Sequence, residues 1–188
     1  LLMKKLFDLF FSIKLILVIF PVLIFVYLTI LIFYRINPIY MSKRSGQFSK
    51  IFLMPKFVTM KKNTPQVATH LLKDPNKHVT NFGKFLRKTS LDELPQLYSV
   101  LKGQMSIVGP RPALFNQNYL IKKRKFFKID KLKPGITGYA QINGRDDISI
   151  NEKIKLDYFY LKNNSIKLDL KIILSTLNKI INIKNISH

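Results

Sequence analysis

The sequence predicts an α/β fold, mostly helical with a small sheet, that follows an apolar membrane helix. Residues 15–34, LILVIFPVLIFVYLTILIFY, are twenty positions without a charge, a length that crosses a bilayer core as a helix. From about residue 37 the chain consists of short mixed segments that proline and glycine residues interrupt, as in a compact domain with short connections. We therefore expect a membrane helix in residues 1–36 and one compact domain in residues 37–188.

Composition limits the classes of partner. The chain has 188 residues, with 32 Lys and Arg against 10 Asp and Glu and a formal charge of +22. That charge favours a polyanionic partner such as nucleic acid, an anionic membrane or a phosphorylated substrate. The chain contains no cysteine, which excludes disulfides and thiolate metal sites. Basic clusters such as residues 122–125 fit an anionic surface, although each one alone is typical of a solvated face.

The apolar run contains a proline. Pro21 removes a backbone donor and crowds the carbonyl of Leu17, so a kink or break is expected there. Basic residues lie on both sides of the run, and the positive-inside rule therefore gives no orientation. A helix that bends at Pro21 and returns to the same face keeps both sets of charges in the cytosol, which favours re-entry over a kinked span. A cleaved signal peptide is disfavoured because the run is too long and no small-residue cleavage site follows it.

An isolated pair of acids stands in TSLDELPQLYSVLKGQMSIVGPRP, residues 89–112. Asp92 and Glu93 are adjacent, and no other acid follows until Asp130. One interpretation is a capping box, in which Ser90 caps a helix and Glu93 folds back on its first amide. The other is chemical, because a carboxylate can attack phosphorus and two neighbouring acids can hold Mg²⁺ together with phosphate oxygens.

Cations surround this pair in the sequence. They are Arg87, Lys88, Lys102 and Arg111. Pro110 and Pro112 flank Arg111 and restrict its backbone, so its guanidinium fork is a candidate for phosphate binding. The alternative is an ordinary turn with a solvated arginine.

Two further segments follow towards the carboxyl end. KPGITGYAQINGR, residues 133–145, contains three glycines, an amide pair and Arg145. Its glycines are typical of a backbone that approaches a ligand closely, or simply of a structural loop, and it matches no known nucleotide fingerprint. Beyond it, Leu170, Ile173, Leu174, Leu177 and Ile181 follow helical spacing. We expect this helix to pack on the core, with the membrane surface as the alternative.

Taken together, these passages resemble the bacterial sugar transferase family, the monotopic phosphoglycosyl transferases that begin glycoconjugate assembly on a polyprenyl phosphate. The resemblance runs from KKLFDLF, with Lys5 and Asp8, through SGQFSKIFLMPKFVTMK and the central block to KPGITGYAQINGR and KLDYFYLKNNSIKLDLKIIL. It implies a re-entrant helix-hairpin in one leaflet of the bacterial inner membrane. It also implies a cytosolic catalytic domain with amphipathic interfacial helices.

The resemblance also implies a reaction. Asp92 would attack the sugar-linked phosphate of a UDP-sugar, release UMP and carry the phosphosugar, which undecaprenyl phosphate would then accept. Glu93 would assist, and Mg²⁺ would bridge Asp92, Glu93 and the diphosphate. The residues implied in substrate binding are Lys56, Arg87, Arg111 and Arg145. The implied partners are the UDP-sugar, the polyprenyl phosphate and anionic inner-membrane lipids, with no nucleic acid.

Some positions depart from the family pattern. Phe20 precedes Pro21 where Ser is common, Val58 stands where Arg is frequent, and Tyr139 replaces a frequent Trp. Two alternatives therefore stay open. One is a catalytically weakened member of the family, and the other is a basic, membrane-tethered protein that binds polyanions.

Overall fold

The computed structural model describes residues 2–61, 64, 75–144 and 148–181. Within these residues the α-helices are α1 Leu2–Tyr34, α2 Pro75–His78, α3 Asn81–Thr89, α4 Leu97–Leu101, α5 Asn118–Phe126, α6 Tyr139–Asn143, α7 Ile150–Asn163 and α8 Ile166–Ile181. The strands are β1 Ile39–Ser45, β2 Ile51–Phe57, β3 Ser106–Val108, β4 Ala113–Leu114 and β5 Gly135–Thr137. Short 3-10 helices span Gln47–Ser49, Leu91–Gln96 and Ile129–Lys131. The predicted class, mostly helical with small sheets, is confirmed.

Helix α1 contains the whole apolar run. It continues through Pro21 as one helix of 33 residues, about 50 Å at the usual rise per residue. By length and composition it is a candidate to cross a membrane, with 11% of its most apolar window buried. Loss of one backbone hydrogen bond at Pro21 does not end the helix, because the residues on both sides favour it. Within residues 2–34 the structure has one continuous helix and not the two helices of the expected hairpin. Re-entry therefore stays a prediction.

One face of α1 packs along the rest of the fold. Near its amino end, Asp8 is buried and accepts hydrogen bonds from Ser106 Oγ at 3.0 Å and from the Ile107 amide at 3.1 Å. Near its carboxyl end, Val26 and Ile30 are buried in a cluster with Phe57 and Leu86. Both ends of α1 therefore contact the domain.

The main sheet is antiparallel, in the order β2-β1-β4. The β1–β2 register runs from Ile39 opposite Phe57 to Ser45 opposite Ile51. Pro55 stands in β2, which is an edge strand, and an edge position tolerates the missing amide donor. A second, parallel pair joins β3 to β5. The edge strand β2 packs against the 3-10 helix Leu91–Gln96, which carries the acid pair.

Helix α8 packs on the core, as expected, but not through all the predicted residues. Ile172 and Ile173 are buried, and Asp169 is 1% exposed. Leu170, Leu174 and Leu177 are exposed, so for these residues the predicted core face is wrong. The buried Asp169 carboxylate accepts from Lys4 Nζ at 2.6 Å and from the Tyr160 hydroxyl at 2.6 Å. Because Asp169 faces the core, the neighbouring leucines face away from it.

Candidate active site

The acid pair begins the 3-10 helix Leu91–Gln96, directly after α3. Ser90 ends α3 in the left-handed region, at φ 58°, and its amide donates to the Arg87 carbonyl at 3.1 Å. Its side chain makes no capping hydrogen bond, and the Glu93 carboxylate reaches other residues. The capping-box interpretation is therefore wrong, because the left-handed Ser90 serves as the end of one helix instead of the side-chain cap of the next.

Glu93 lies between two cations. Its Oε1 accepts from Lys56 Nζ at 2.6 Å and from Arg111 Nη2 at 2.9 Å, and its Oε2 accepts from Arg111 Nη1 at 3.3 Å. Burial alone would raise the pKa of Glu93, but Arg111 and Lys56 outweigh it and hold that pKa well below its ordinary value. The lowered pKa favours the ionised form of Glu93, and both of its oxygens are engaged.

Asp92 has a different environment from its neighbour. No side chain in the described part of the chain donates a hydrogen bond to its carboxylate. Burial and the adjacent Glu93 charge raise the pKa of Asp92 to about 6, although Lys56, Arg87 and Arg111 oppose the shift. Two neighbouring carboxylates with separated pKa values are typical of groups with different chemical roles. Among the described residues, Asp92 is the one of the two acids whose carboxylate oxygens accept from no side chain.

Arg87 is placed beside the pair by a close approach between α3 and the segment after β2. A Cβ added to Gly83 would lie 2.1 Å from the Thr59 carbonyl oxygen, so only glycine permits this contact. One turn later, Arg87 Nε donates to Thr59 Oγ1 at 2.9 Å. This hydrogen bond holds the Arg87 guanidinium at its Nε atom. The positive charge of the group acts to lower the pKa of Asp92.

Residues 110–112, called here the Arg111 segment, are held in place through their carbonyl groups. The Pro110 carbonyl accepts from the Gly135 amide at 3.0 Å, the Arg111 carbonyl from Arg124 Nη1 at 2.8 Å, and the Pro112 carbonyl from Arg44 Nη1 at 3.3 Å. With its side chain paired to Glu93, Arg111 is not a solvated turn residue, and that alternative is wrong.

Arg124 and Arg44 donate to this segment, and the sequence did not indicate either contact. Arg124 belongs to the basic cluster at residues 122–125, which we expected to be a solvated face, but it is 8% exposed. The other three positions of that cluster are exposed or partly exposed. A row of basic residues in a sequence does not indicate which of them is buried, here Arg124. Only its position on the inner face of α5 distinguishes it.

The glycine-rich segment is structural where the structure describes it. A Cβ on Gly135 would lie 2.1 Å from the Gly109 amide nitrogen. The Gly135 amide itself donates to the Pro110 carbonyl. The amide side chains bond to backbone as well, Gln141 Nε2 to the Ile136 carbonyl at 3.0 Å and Asn143 Nδ2 to the Tyr139 carbonyl at 2.8 Å. The Gly135 contacts bring β5 against the Arg111 segment, and the nitrogens of both side-chain amides are engaged within the fold.

A basic cavity lies beside this site. It has a volume of about 750 Å³ and is formed by the end of α1, the chain after β2 and the first turn of α3. Its cations are Arg35, Lys61, Lys77 and Lys84. Lys84 precedes Arg87 by three residues on α3, so the cavity and Arg87 share one helix, and the acid pair lies on the 3-10 helix that follows it.

Family comparison agrees with this arrangement. The family described as bacterial sugar transferase has a model that matches residues 1–183. The chain belongs to the bacterial sugar transferase family. The resemblance seen in the sequence is thereby confirmed, and it covers the acid pair, its cations and the apolar helix together.

Individual relatives span the same region. An uncharacterized sugar transferase, EpsL, of Bacillus subtilis is 42% identical over 77% of this chain and 71% of its own length. An undecaprenyl-phosphate galactose phosphotransferase of Salmonella typhimurium is 34% identical over 93% of this chain. A UDP-glucose:undecaprenyl-phosphate glucose-1-phosphate transferase of Klebsiella pneumoniae is 40% identical over 94% of this chain. The chain spans 39% of the length of each of the last two.

In this sugar transferase family member, five of the six site residues named from the sequence come together. Lys56, Arg111 and Glu93 are in direct contact, and the charges of Lys56, Arg87 and Arg111 act on Asp92. Arg145 lies outside the described residues. The structure therefore assembles one site from β2, α3, the 3-10 helix Leu91–Gln96 and the Arg111 segment.

The residues present fit Mg²⁺ only in company with a phosphate ligand. No group of three or more metal-binding side chains occurs in the part of the chain that the structure describes. Asp92 offers carboxylate oxygens, whereas both Glu93 oxygens already accept from cations. Mg²⁺ is commonly held by one or two carboxylates together with substrate phosphates. The fit is thus to a cation that binds with a diphosphate.

Proposed function

We propose that the chain transfers a phosphosugar from a UDP-sugar to undecaprenyl phosphate and releases UMP through a covalent intermediate on Asp92. The observation that carries the proposal is the Asp92 carboxylate, which accepts from no side chain among the described residues, is raised in pKa and is acted on by the charges of three cations. The names of the Salmonella and Klebsiella relatives support the substrate classes. A basic protein that only binds polyanions has no use for a half-buried acid in this state, because an acid weakens polyanion binding.

In the first step, an Asp92 oxygen attacks the phosphorus that bears the sugar. The new O–P bond forms as the bond from that phosphorus to the bridging oxygen breaks, and UMP leaves with the electron pair. Lys56, Arg87 and Arg111 lie where negative charge accumulates, which is the main contribution that a protein makes to phosphoryl transfer. Because the attacking group is an ionised carboxylate, this step needs no general base.

In the second step, a phosphate oxygen of the polyprenyl acceptor attacks the same phosphorus. The Asp92 carboxylate leaves, and the product is a polyprenyl-diphosphate sugar. Glu93 assists both steps by holding Lys56 and Arg111 towards the reacting phosphate. Of the two acids expected to hold Mg²⁺, Asp92 would offer its carboxylate oxygens, whereas Glu93 would have to give up a contact with Lys56 or Arg111. When bound, the ion would neutralise diphosphate charge.

Membrane association would bring the acceptor to this site. Helix α1 and the exposed leucines of α8 (Leu170, Leu174 and Leu177) provide apolar surface, and basic residues attract anionic lipids by about 1 kcal/mol each near the surface. We place the domain on the cytoplasmic face of the bacterial inner membrane, where it would catalyse the first membrane step of glycoconjugate assembly. The basic cavity, which Lys84 lines three residues before Arg87, suits the phosphate of the acceptor.

The proposal is tested by incubating the membrane-bound protein with Mg²⁺ and each of a panel of UDP-sugars, without acceptor. The intact mass should rise by one phosphosugar for the accepted donor, and undecaprenyl phosphate should then restore the original mass and yield lipid product. Asp92→Asn should lower UMP release by at least about a thousandfold, whereas Asp130→Asn, on the 3-10 helix Ile129–Lys131, should not. Lipid product that accumulates while the protein mass never changes contradicts the covalent route.

A further inference from the structure

Two helices remote from the acid pair share a buried ion pair. Arg124 on α5 donates to Asp157 Oδ2 on α7 from Nε at 3.0 Å and from Nη2 at 2.7 Å. The two side chains are 9% and 2% exposed. The remaining guanidinium nitrogen, Nη1, donates to the Arg111 carbonyl at 2.8 Å. Resting on the proposed function, we propose that Arg124 and Asp157 form a positioning unit that fixes Arg111 against Glu93.

The composition of the Arg111 segment explains why such a unit is needed. Pro110 and Pro112 have no amide hydrogen, so the backbone donors directly before and after Arg111 are both missing. The segment is held through acceptors instead, and Arg124 supplies the donor at the Arg111 carbonyl itself. Among the site residues, this hydrogen bond acts directly on Arg111 alone. It fixes the peptide from which the catalytic guanidinium extends.

The arrangement of the Arg124 fork supports positioning over simple stabilisation. A buried ion pair by itself adds little, and well-packed apolar residues often replace one without loss of stability. Here Asp157 occupies two nitrogens of a planar group, which orients the third nitrogen towards a single acceptor. Arg124 contacts neither Asp92 nor Glu93 in the described structure. Its effect on turnover must therefore pass through Arg111.

The test removes the pair without leaving a buried charge. The double variant Arg124→Met, Asp157→Leu leaves no unpaired buried charge, so it should fold, with a midpoint of thermal unfolding lowered only by the loss of one hydrogen bond to the Arg111 carbonyl. Its kcat for UMP release should fall about 10- to 100-fold, because small displacements of a catalytic group have effects of that size, while KM for the UDP-sugar changes less. A folded double variant with wild-type kcat overturns the proposal.

Two further variants separate positioning from general stabilisation. In an Arg111→Lys background, loss of the pair should cost less than about threefold in kcat, since residues that act through one group are not additive. Full additivity overturns the proposal. If the double variant does not fold, Arg124→Lys keeps the charge next to Asp157 but loses the planar fork, and it should still lower kcat about tenfold. Wild-type turnover in Arg124→Lys also overturns the proposal.

A readout independent of turnover distinguishes this inference from the proposed function. Phenylglyoxal labelling of Arg111, followed by peptide mass spectrometry, should increase several-fold in the double variant or in Arg124→Lys. Labelling of Arg35, in the separate basic cavity, should stay constant. If wild-type protein releases no UMP from any UDP-sugar, the proposed function fails, and the labelling alone decides the positioning. Unchanged Arg111 labelling overturns the positioning unit whatever the activity.

Discussion

At the scale of single residues, the acid pair shows how position on a short helix divides two adjacent carboxylates. Glu93 faces Lys56 and Arg111, which satisfy both of its oxygens, while Asp92 faces the same cations only at longer range. The first is fixed in its ionised form, and the second titrates near neutral pH. A nucleophile needs a free, ionised oxygen, and the cations need a permanent partner, so this division suits the proposed reaction.

The raised pKa of Asp92 predicts the acid limb of the activity profile. Because the attacking group is the carboxylate, kcat/KM should fall about tenfold per pH unit below the Asp92 pKa of about 6. Glu93 does not contribute to this limb, since its pKa lies well below the ordinary carboxyl range. UMP release measured between pH 4.5 and 8 checks the prediction. A flat profile down to pH 5 contradicts the assignment of Asp92 as the titrating nucleophile.

The two neighbours should also affect stability in opposite directions. The folded-state pKa of Asp92 is raised, so its ionised form destabilises the fold at pH 7.5, and Asp92→Asn should raise the free energy of unfolding by about 1–3 kcal/mol. The gain should shrink as the pH falls towards 5, where the wild-type carboxyl is protonated. Glu93→Gln should instead cost about 3 kcal/mol, because it leaves Lys56 and Arg111 without their counter-charge.

Denaturation of both variants under identical detergent conditions checks these signs. The two substitutions are matched in chemistry and lie at adjacent positions, so a nonspecific effect of amide for carboxylate would move both in one direction. Destabilisation by Asp92→Asn of the same size as by Glu93→Gln would mean that Asp92 has a stabilising partner in the folded protein.

At the scale of elements, close backbone approaches set the site. Gly83 lets α3 lie against the Thr59 carbonyl, and this contact places Arg87 by Asp92. Gly83→Ala should destabilise the protein by about 2 kcal/mol, because the clash is with backbone that cannot rotate away, and should lower UMP release more than its stability loss explains. Lys84→Ala, at an exposed position of the same helix, is the control for thermal unfolding. Equal unfolding midpoints for the two variants contradict the prediction.

The elements also show what the sequence can and cannot predict. The charge-free run at residues 15–34 predicts a helix because composition alone decides that outcome, and α1 contains it. The leucine spacing on α8 predicts a helix but not its buried face, since the buried Asp169 rotates that face by about one position. Likewise the acids and basic residues predict a site, but the inward turn of Arg124 depends on Asp157 and Arg111, which are distant in sequence.

At the scale of the whole molecule, both ends of α1 contact the same domain. Lys4 pairs with Asp169 at 2.6 Å, and Ile30 is buried with Phe57 and Leu86. A helix that crossed the bilayer away from the domain would lose one of these sets of contacts. We therefore predict that both ends of the apolar helix stay with the domain on one side of the membrane.

Single cysteines test this arrangement directly, because the chain has none of its own. Leu2→Cys, at the start of α1, and Lys43→Cys, in β1 beyond its other end, introduce exposed thiols on the two sides of the apolar run. An impermeant maleimide should label both only in inside-out vesicles. Leu17→Cys, 71% exposed outside lipid, should stay unlabelled in vesicles and react after detergent is added, which verifies that the helix contacts lipid. Labelling of positions 2 and 43 from opposite sides would mean that α1 spans the bilayer and that the contact between Lys4 and Asp169 does not exist in the membrane.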